Sequence, residues 1–123
     1  GNMTSVDVAA VPHQLKFNLT NFSVKVGTKV KITFFNPDVI PHNLLIVEPG
    51  SKAEIGNQAI AMGADAVKKA PENSNILHGT KMLEAGQTEV IEFSAPANPG
   101  DYEFVCTFPG HWTVMNGVMK VTK

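Results

Sequence analysis

The chain has one cysteine, Cys106, in 123 residues, so no disulfide can form within it. Clusters of lysine or arginine are missing as well. Ten basic side chains against eleven acidic ones leave a formal charge of −1, and nucleic acid requires a basic stripe to neutralise its phosphates. Apolar runs are short: the stretch from Leu44 to Val47 is far below the roughly 20 residues that cross a bilayer as a helix, so no transmembrane segment is expected. No basic segment followed by an apolar one opens the chain, which reads as a secretory leader either absent or already removed. Gly1-Asn2-Met3 reads as a cloning remnant and a chosen start, of a mature chain or of a domain cut from a longer one. Repeats and low-complexity segments are absent too. What remains is one soluble globular domain over 1–123. A domain of this size buries roughly two-thirds of its unfolded surface, so it needs no structural metal merely to fold, and any metal is functional first.

Period-two patterning dominates. Leu15, Phe17 and Leu19 alternate with Lys16 and Asn18; Phe22, Val24 and Val26 with Ser23 and Lys25; Val30, Ile32 and Phe34 with Lys31 and Thr33. Each set predicts a strand with one apolar face. Gly27-Thr28 turns between two of them, and Asn36-Pro37-Asp38 ends the third, because proline offers no ladder donor. The apolar run 43–47 suits a strand buried on both faces. Around 51–69 the rhythm changes: Ser51 and Glu54 match a capping box, and Ile55, Ala59, Met62 and Ala66 share one helical face. A helical insertion outside the sheets is predicted there, with Gly56 and Gly63 in its interior. Strands resume at 87–94, at 102–106 and at 117–123. The expectation is an all-β fold, a Greek-key antiparallel β-sandwich of seven or eight strands with one helical insertion.

Cys106-Thr107-Phe108-Pro109-Gly110-His111-Trp112-Thr113-Val114-Met115 places a thiol, an imidazole and a thioether within ten residues. Thiolate and thioether are soft donors that suit copper, and two histidines, a cysteine and a weak axial methionine form the ligand set of electron-transfer copper sites. His42 supplies the second imidazole from a strand end beside that loop. Pro109-Gly110 lets the chain fold back, so that His111 reaches the sulfur. His13 and His78 read as surface or turn residues, and Met62, Met82 and Met119 as packing.

With these residues the chain resembles the blue-copper cupredoxins of the azurin and auracyanin type over essentially its whole length. The likeness rests on Cys106 to His111 followed by Met115, on Pro41-His42-Asn43, and on the helical insertion between His42 and Cys106. It implies that His42, Cys106 and His111 bind one copper ion in a trigonal plane, with Met115 a weak axial ligand and the Pro41 carbonyl facing the metal from the opposite side. Asn43 and Thr107 would be the outer layer, tying the His42 turn to the Cys106 loop, and backbone N–H groups near the sulfur would tune its potential. Azurins proper carry an N-terminal disulfide and a glycine where Pro41 stands, and these departures move the likeness toward auracyanins. The resemblance further implies an exported protein, periplasmic or extracellular and bacterial, carrying single electrons to and from redox proteins such as a c-type cytochrome or a dehydrogenase. Ile40, Pro41, Phe108, Pro109 and Trp112 would form an apolar docking patch around the edge of His111, or else shield the metal from water.

Other functions use the same residues. A Cys/His nucleophile pair would make Cys106 catalytic, but catalytic thiols sit in electropositive places, often at helix N-termini, and Cys106 ends an aromatic-flanked strand. Zinc would accept one cysteine and two histidines, which leaves copper or zinc storage or delivery as an alternative. The domain could also be the electron-transfer part of a larger redox enzyme, and an exported chain could be tethered to a membrane through an upstream segment. With four side chains filling the site no position is open for a substrate, so the expectation is a carrier and not an enzyme.

Overall fold

A computed structural model describes residues 3–123; Gly1 and Asn2 of the expected start lie outside the described residues. Eight strands form two sheets. They are β1 (Met3–Ala9), β2 (Asn21–Lys25), β3 (Lys29–Phe35), β4 (Leu45–Val47), β5 (Ile76–Gly79), β6 (Thr88–Ser94), β7 (Gly100–Val105) and β8 (Asn116–Thr122). One sheet has the order β1-β3-β6 and the other β2-β8-β7-β4-β5. Inward-facing Val30, Ile32 and Phe34 of β3 meet Ile46, Phe104 and Met119 of the other sheet in one core. Phe17 fills its centre between Phe34 and Phe104, at ring-centroid distances of 5.7 and 5.2 Å.

The sandwich is the expected one, but its pairing is mixed. β1 and β2 run parallel to β3 and β8, and the other described pairings are antiparallel. The chain passes from one sheet to the other between β2 and β3, where a hairpin would have given antiparallel neighbours. The expected strand at 15–19 does not form. Val11 N–H donates to the Lys16 carbonyl at 3.0 Å and His13 takes a φ of 63°, so the chain turns tightly there and only Phe17 pairs, with Ala10. Leu15 is consequently 39% exposed.

Helix α1 (Lys52–Met62) is followed by a 3-10 turn, Gly63–Val67. Its predicted capping box is not made: Ser51 Oγ donates back to the Glu48 carbonyl at 2.6 Å, and Glu54 accepts from Asn73 instead. Gly63, expected inside the helix, ends it with a φ of 61°. Ile55 packs on Leu45, Val47 and Val105, which face away from the sandwich core. Burying that isoleucine contributes about 1.5–3 kcal/mol. Lys52 and Glu103 add an ion pair at 3.2 Å. The helix therefore covers the outer face of β4 and β7 next to the point where β7 ends and Cys106 begins. His78, expected on the surface or in a turn, lies half-buried on β5 and stacks on Phe93 at 4.3 Å, bridging the two sheets at one edge.

Candidate metal centre

Cys106 follows β7 directly, and the loop 106–115 closes on itself. The Cys106 N–H donates to the Met115 carbonyl at 3.1 Å, the Met115 N–H to the His111 carbonyl at 2.8 Å, and the His111 N–H to the Phe108 carbonyl at 2.9 Å. Gly110 makes the fold-back with a φ of 86°, a conformation that residues with a Cβ adopt rarely. The first and last side chains of interest are thus locked together by backbone bonds. His42 comes from the other side, where its N–H and C=O pair with Leu83 at 3.1 and 2.8 Å.

These elements bring three donors together. Cys106 Sγ lies 3.6 Å from His42 Nδ1 and 3.8 Å from His111 Nδ1, and the three ligand atoms are all within 4.8 Å of one another. Metal–sulfur and metal–nitrogen bonds of roughly 2.3 and 2.0 Å, at trigonal angles, put sulfur and nitrogen about 3.7 Å apart. The spacing therefore fits a single ion in the plane of one thiolate and two imidazoles. Met115 is fully buried against the same loop, whereas Pro41 is half-buried immediately before His42.

Burial sets the protonation of the metal-free donors. It pushes the Cys106 thiol up from 9.0 to about 11, opposed by the backbone N–H groups of Asn43 and Phe108 that point at the sulfur. It pushes His111 down from 6.5 to about 4, helped by the neighbouring His42 and opposed by Asp38. His111 is thus a neutral imidazole near neutral pH, ready to donate a lone pair. The thiol releases its proton there only when a metal cation replaces it on the sulfur. His111 stacks on Phe108 at 4.4 Å and keeps 6% of its surface open, while His42 and Cys106 have none.

Around the donors, Asn43 and Thr107 face each other across the two loops. Ile40, Pro41, Phe108, Pro109 and Trp112 are each half-buried. The Trp112 indole turns inward, filling the space where a Cβ on Gly56 would stand, and so seats the loop on α1. Two features escape the sequence analysis. Asp38, assigned there only to a turn, puts Oδ2 2.9 Å from His42 Nε2. A hydrogen bond from His42 holds its carboxyl below the ordinary value, against the cost of burial. Val39 and Val114, 73% and 57% exposed, are the most open large apolar side chains among the described residues and flank these loops. An apolar residue next to Asp38 and another next to Met115 were the available signals.

The chain is similar to known copper proteins. Auracyanin-B of Chloroflexus aurantiacus is 37% identical over 123 residues, covering 96% of this chain and 52% of the relative. This chain thus spans about half that protein's length. Auracyanin-A of the same organism is 30% identical over 95% of this chain and 74% of its own. The reduced auracyanin of Roseiflexus castenholzii superposes with a TM-score of 0.88 at 36% identity, over the full length of both chains. The model of the copper binding proteins of the plastocyanin/azurin family matches residues 4–122. On that match, and with one thiol and two imidazoles spaced for a single copper ion, the chain belongs to the plastocyanin/azurin family of copper-binding proteins.

Proposed function

We propose that this chain is a blue-copper carrier of single electrons, in which His42, Cys106 and His111 hold one copper ion and Met115 and the Pro41 carbonyl act as weaker axial groups. The observation that carries it is the 3.6 and 3.8 Å spacing of two imidazole nitrogens about one buried sulfur in a chain of a copper-binding family. When bound, copper supplies a one-electron couple between Cu(II) and Cu(I). The residues hold the donors in place: both ligand loops are closed by hydrogen bonds, so the donors do not spread apart when charge changes. The N–H groups of Asn43 and Phe108 favour the thiolate, and burial keeps water away.

His111 is the donor with an open edge, and electrons pass there to and from a redox protein, a c-type cytochrome or a dehydrogenase. Ile40, Pro41, Phe108 and Pro109, with Val39 and Val114, would dock that partner, because exposed apolar surface marks interaction sites, whereas the Trp112 indole expected among them faces α1. No substrate is transformed, so the protein is a carrier and not an enzyme. Residues 1–123 act as one domain, exported to the periplasm or cell exterior. The test is one equivalent of Cu(II) added to metal-free protein. An intense thiolate-to-copper band with narrow hyperfine splitting, bleached reversibly by reductant, is expected. Copper bound without that band would favour storage or delivery, of copper or of zinc.

A further inference from the structure

His42 stands between two fixed groups: Nδ1 is 3.6 Å from the Cys106 sulfur and Nε2 is 2.9 Å from Asp38 Oδ2. The side chains of His42 and Asp38 are 0% and 1% exposed. Asp38 has little freedom to be elsewhere. Its Oδ1 accepts the N–H of Val39 at 2.8 Å and that of His13 at 3.4 Å, and its own N–H donates to Asn36 Oδ1 at 3.0 Å. Asn36 in turn donates to the carbonyls of Ile40 and Leu83, and Leu83 pairs with the His42 backbone. A buried carboxylate is costly unless it is hydrogen-bonded, and His42 is the side chain that hydrogen-bonds this one among the described residues. His111 has no such carboxylate: the salt bridges among the described residues give it no acidic partner.

An ionised carboxylate only accepts hydrogen bonds, so the nitrogen facing it carries the hydrogen. The hydrogen bond made by one ring nitrogen decides which atom the other can offer to a metal. We infer that Asp38 is a positioning residue of the metal centre: its carboxylate fixes His42 as the Nε2–H tautomer, turns the Nδ1 lone pair toward Cys106, and favours Cu(II) over Cu(I) by its negative charge. The inference rests on the copper-carrier function proposed above. It also distinguishes the two imidazoles, one anchored from behind by a carboxylate and the other held by stacking and open at its edge.

The experiment uses Asp38→Asn beside the unaltered chain. In the variant the remaining oxygen keeps the Val39 N–H, and the amide presents its NH₂ to His42 Nε2, which reverses the hydrogen bond. First, two-bond ¹H–¹⁵N correlation at pH 8 on the unaltered metal-free protein reads the His42 tautomer directly, and Nε2–H is expected. Hydrogen on Nδ1 overturns the inference whether or not the variant folds. Next, Asp38→Asn is expected to shift His42 toward Nδ1–H and to weaken Cu(II) about 10- to 100-fold, the usual effect of losing such a partner. Cu(I) is expected to weaken less, raising the potential by about 59 mV for each tenfold difference. A variant that keeps the tautomer, the Cu(II) affinity and the potential overturns it too. An unaltered protein that takes up copper without the blue band refutes the carrier function instead, while the tautomer measurement still reports on Asp38.

Discussion

Asn43 and Thr107 are joined by reciprocal hydrogen bonds, the Asn43 amide N–H to Thr107 Oγ1 at 2.8 Å and the Thr107 backbone N–H to Asn43 Oδ1 at 2.7 Å. Both residues are fully buried, and each is the chain neighbour of a donor, His42 or Cys106. The pair therefore sets the distance between the two ligand loops.

Removing each half has a different cost. Asn43→Ala strands the buried Thr107 N–H as well as its hydroxyl, and a buried unpaired group costs about 1–3 kcal/mol. A loss of about 2–4 kcal/mol in urea unfolding of the metal-free protein is expected. Thr107→Val keeps the backbone bond and leaves one amide hydrogen unpaired, so about 1–2 kcal/mol is expected. Equal losses in the two variants would show that the pair is not what joins the loops.

The stretch from Cys106 to Met115 is legible in the sequence because its chemistry is local: a cysteine, histidine and methionine within ten residues, bent by Pro109-Gly110. Asp38 is not legible in that way. It meets His42 through a non-helical loop whose path is set by Asn36 reaching the Ile40 and Leu83 carbonyls, and residue type alone does not reveal that path. The strands show the same division. Val30, Ile32 and Phe34 announce a strand by period two, but the same alternation at 15–19 lies in a turn. There Pro12 and the positive φ of His13 decide the backbone before the pattern can act. Period two also carries no information about strand direction, so the parallel pairing of β1 with β3 and of β2 with β8 emerges only from the three-dimensional path.

Trp112 makes α1 part of the metal centre's scaffold. A Cβ on Gly56 would fall inside the indole, so Gly56→Ala must displace Trp112 and with it the loop that bears His111. Overpacking of this kind costs about 1–3 kcal/mol. Trp112 Nε1 is buried without a partner, so Trp112→Phe loses no hydrogen bond and is expected to cost less than Gly56→Ala. Combining Gly56→Ala with Trp112→Ala should be less damaging than the sum of the two changes. Strict additivity in thermal unfolding would contradict the contact.

The metal-free protein should be most stable between about pH 6.5 and 9. Its folded form holds the Cys106 thiol protonated up to about 11, while the unfolded thiol ionises near 9.0. Stability therefore falls as pH rises from 9 to 11, by about 2–3 kcal/mol from this group. On the acid side, His111 resists protonation down to about 4 while its unfolded form accepts a proton near 6.5. Stability thus falls as pH drops through that span, and His78, lowered by burial, acts in the same direction. Urea melts across this range check both limbs. Cys106→Ala is expected to flatten the alkaline limb and leave the acid one, and an unchanged alkaline limb would refute the assignment.

Met115 separates side chain from backbone. Its carbonyl accepts the Cys106 N–H at 3.1 Å and its N–H reaches the His111 carbonyl, bonds that any residue at this position keeps. Met115→Leu preserves them and nearly preserves volume, so less than about 1.5 kcal/mol of stability should be lost. What disappears is the thioether. Because the axial group tunes the potential of such a site while the thiolate carries the colour, Met115→Leu should keep the blue band and raise the reduction potential. Cys106→Ser, by contrast, should abolish the band although the loop is otherwise intact. Visible spectra and voltammetry on the two loaded variants decide the matter. A Met115→Leu protein with unchanged potential would remove the methionine from the ligand set, and a blue Cys106→Ser protein would remove the cysteine.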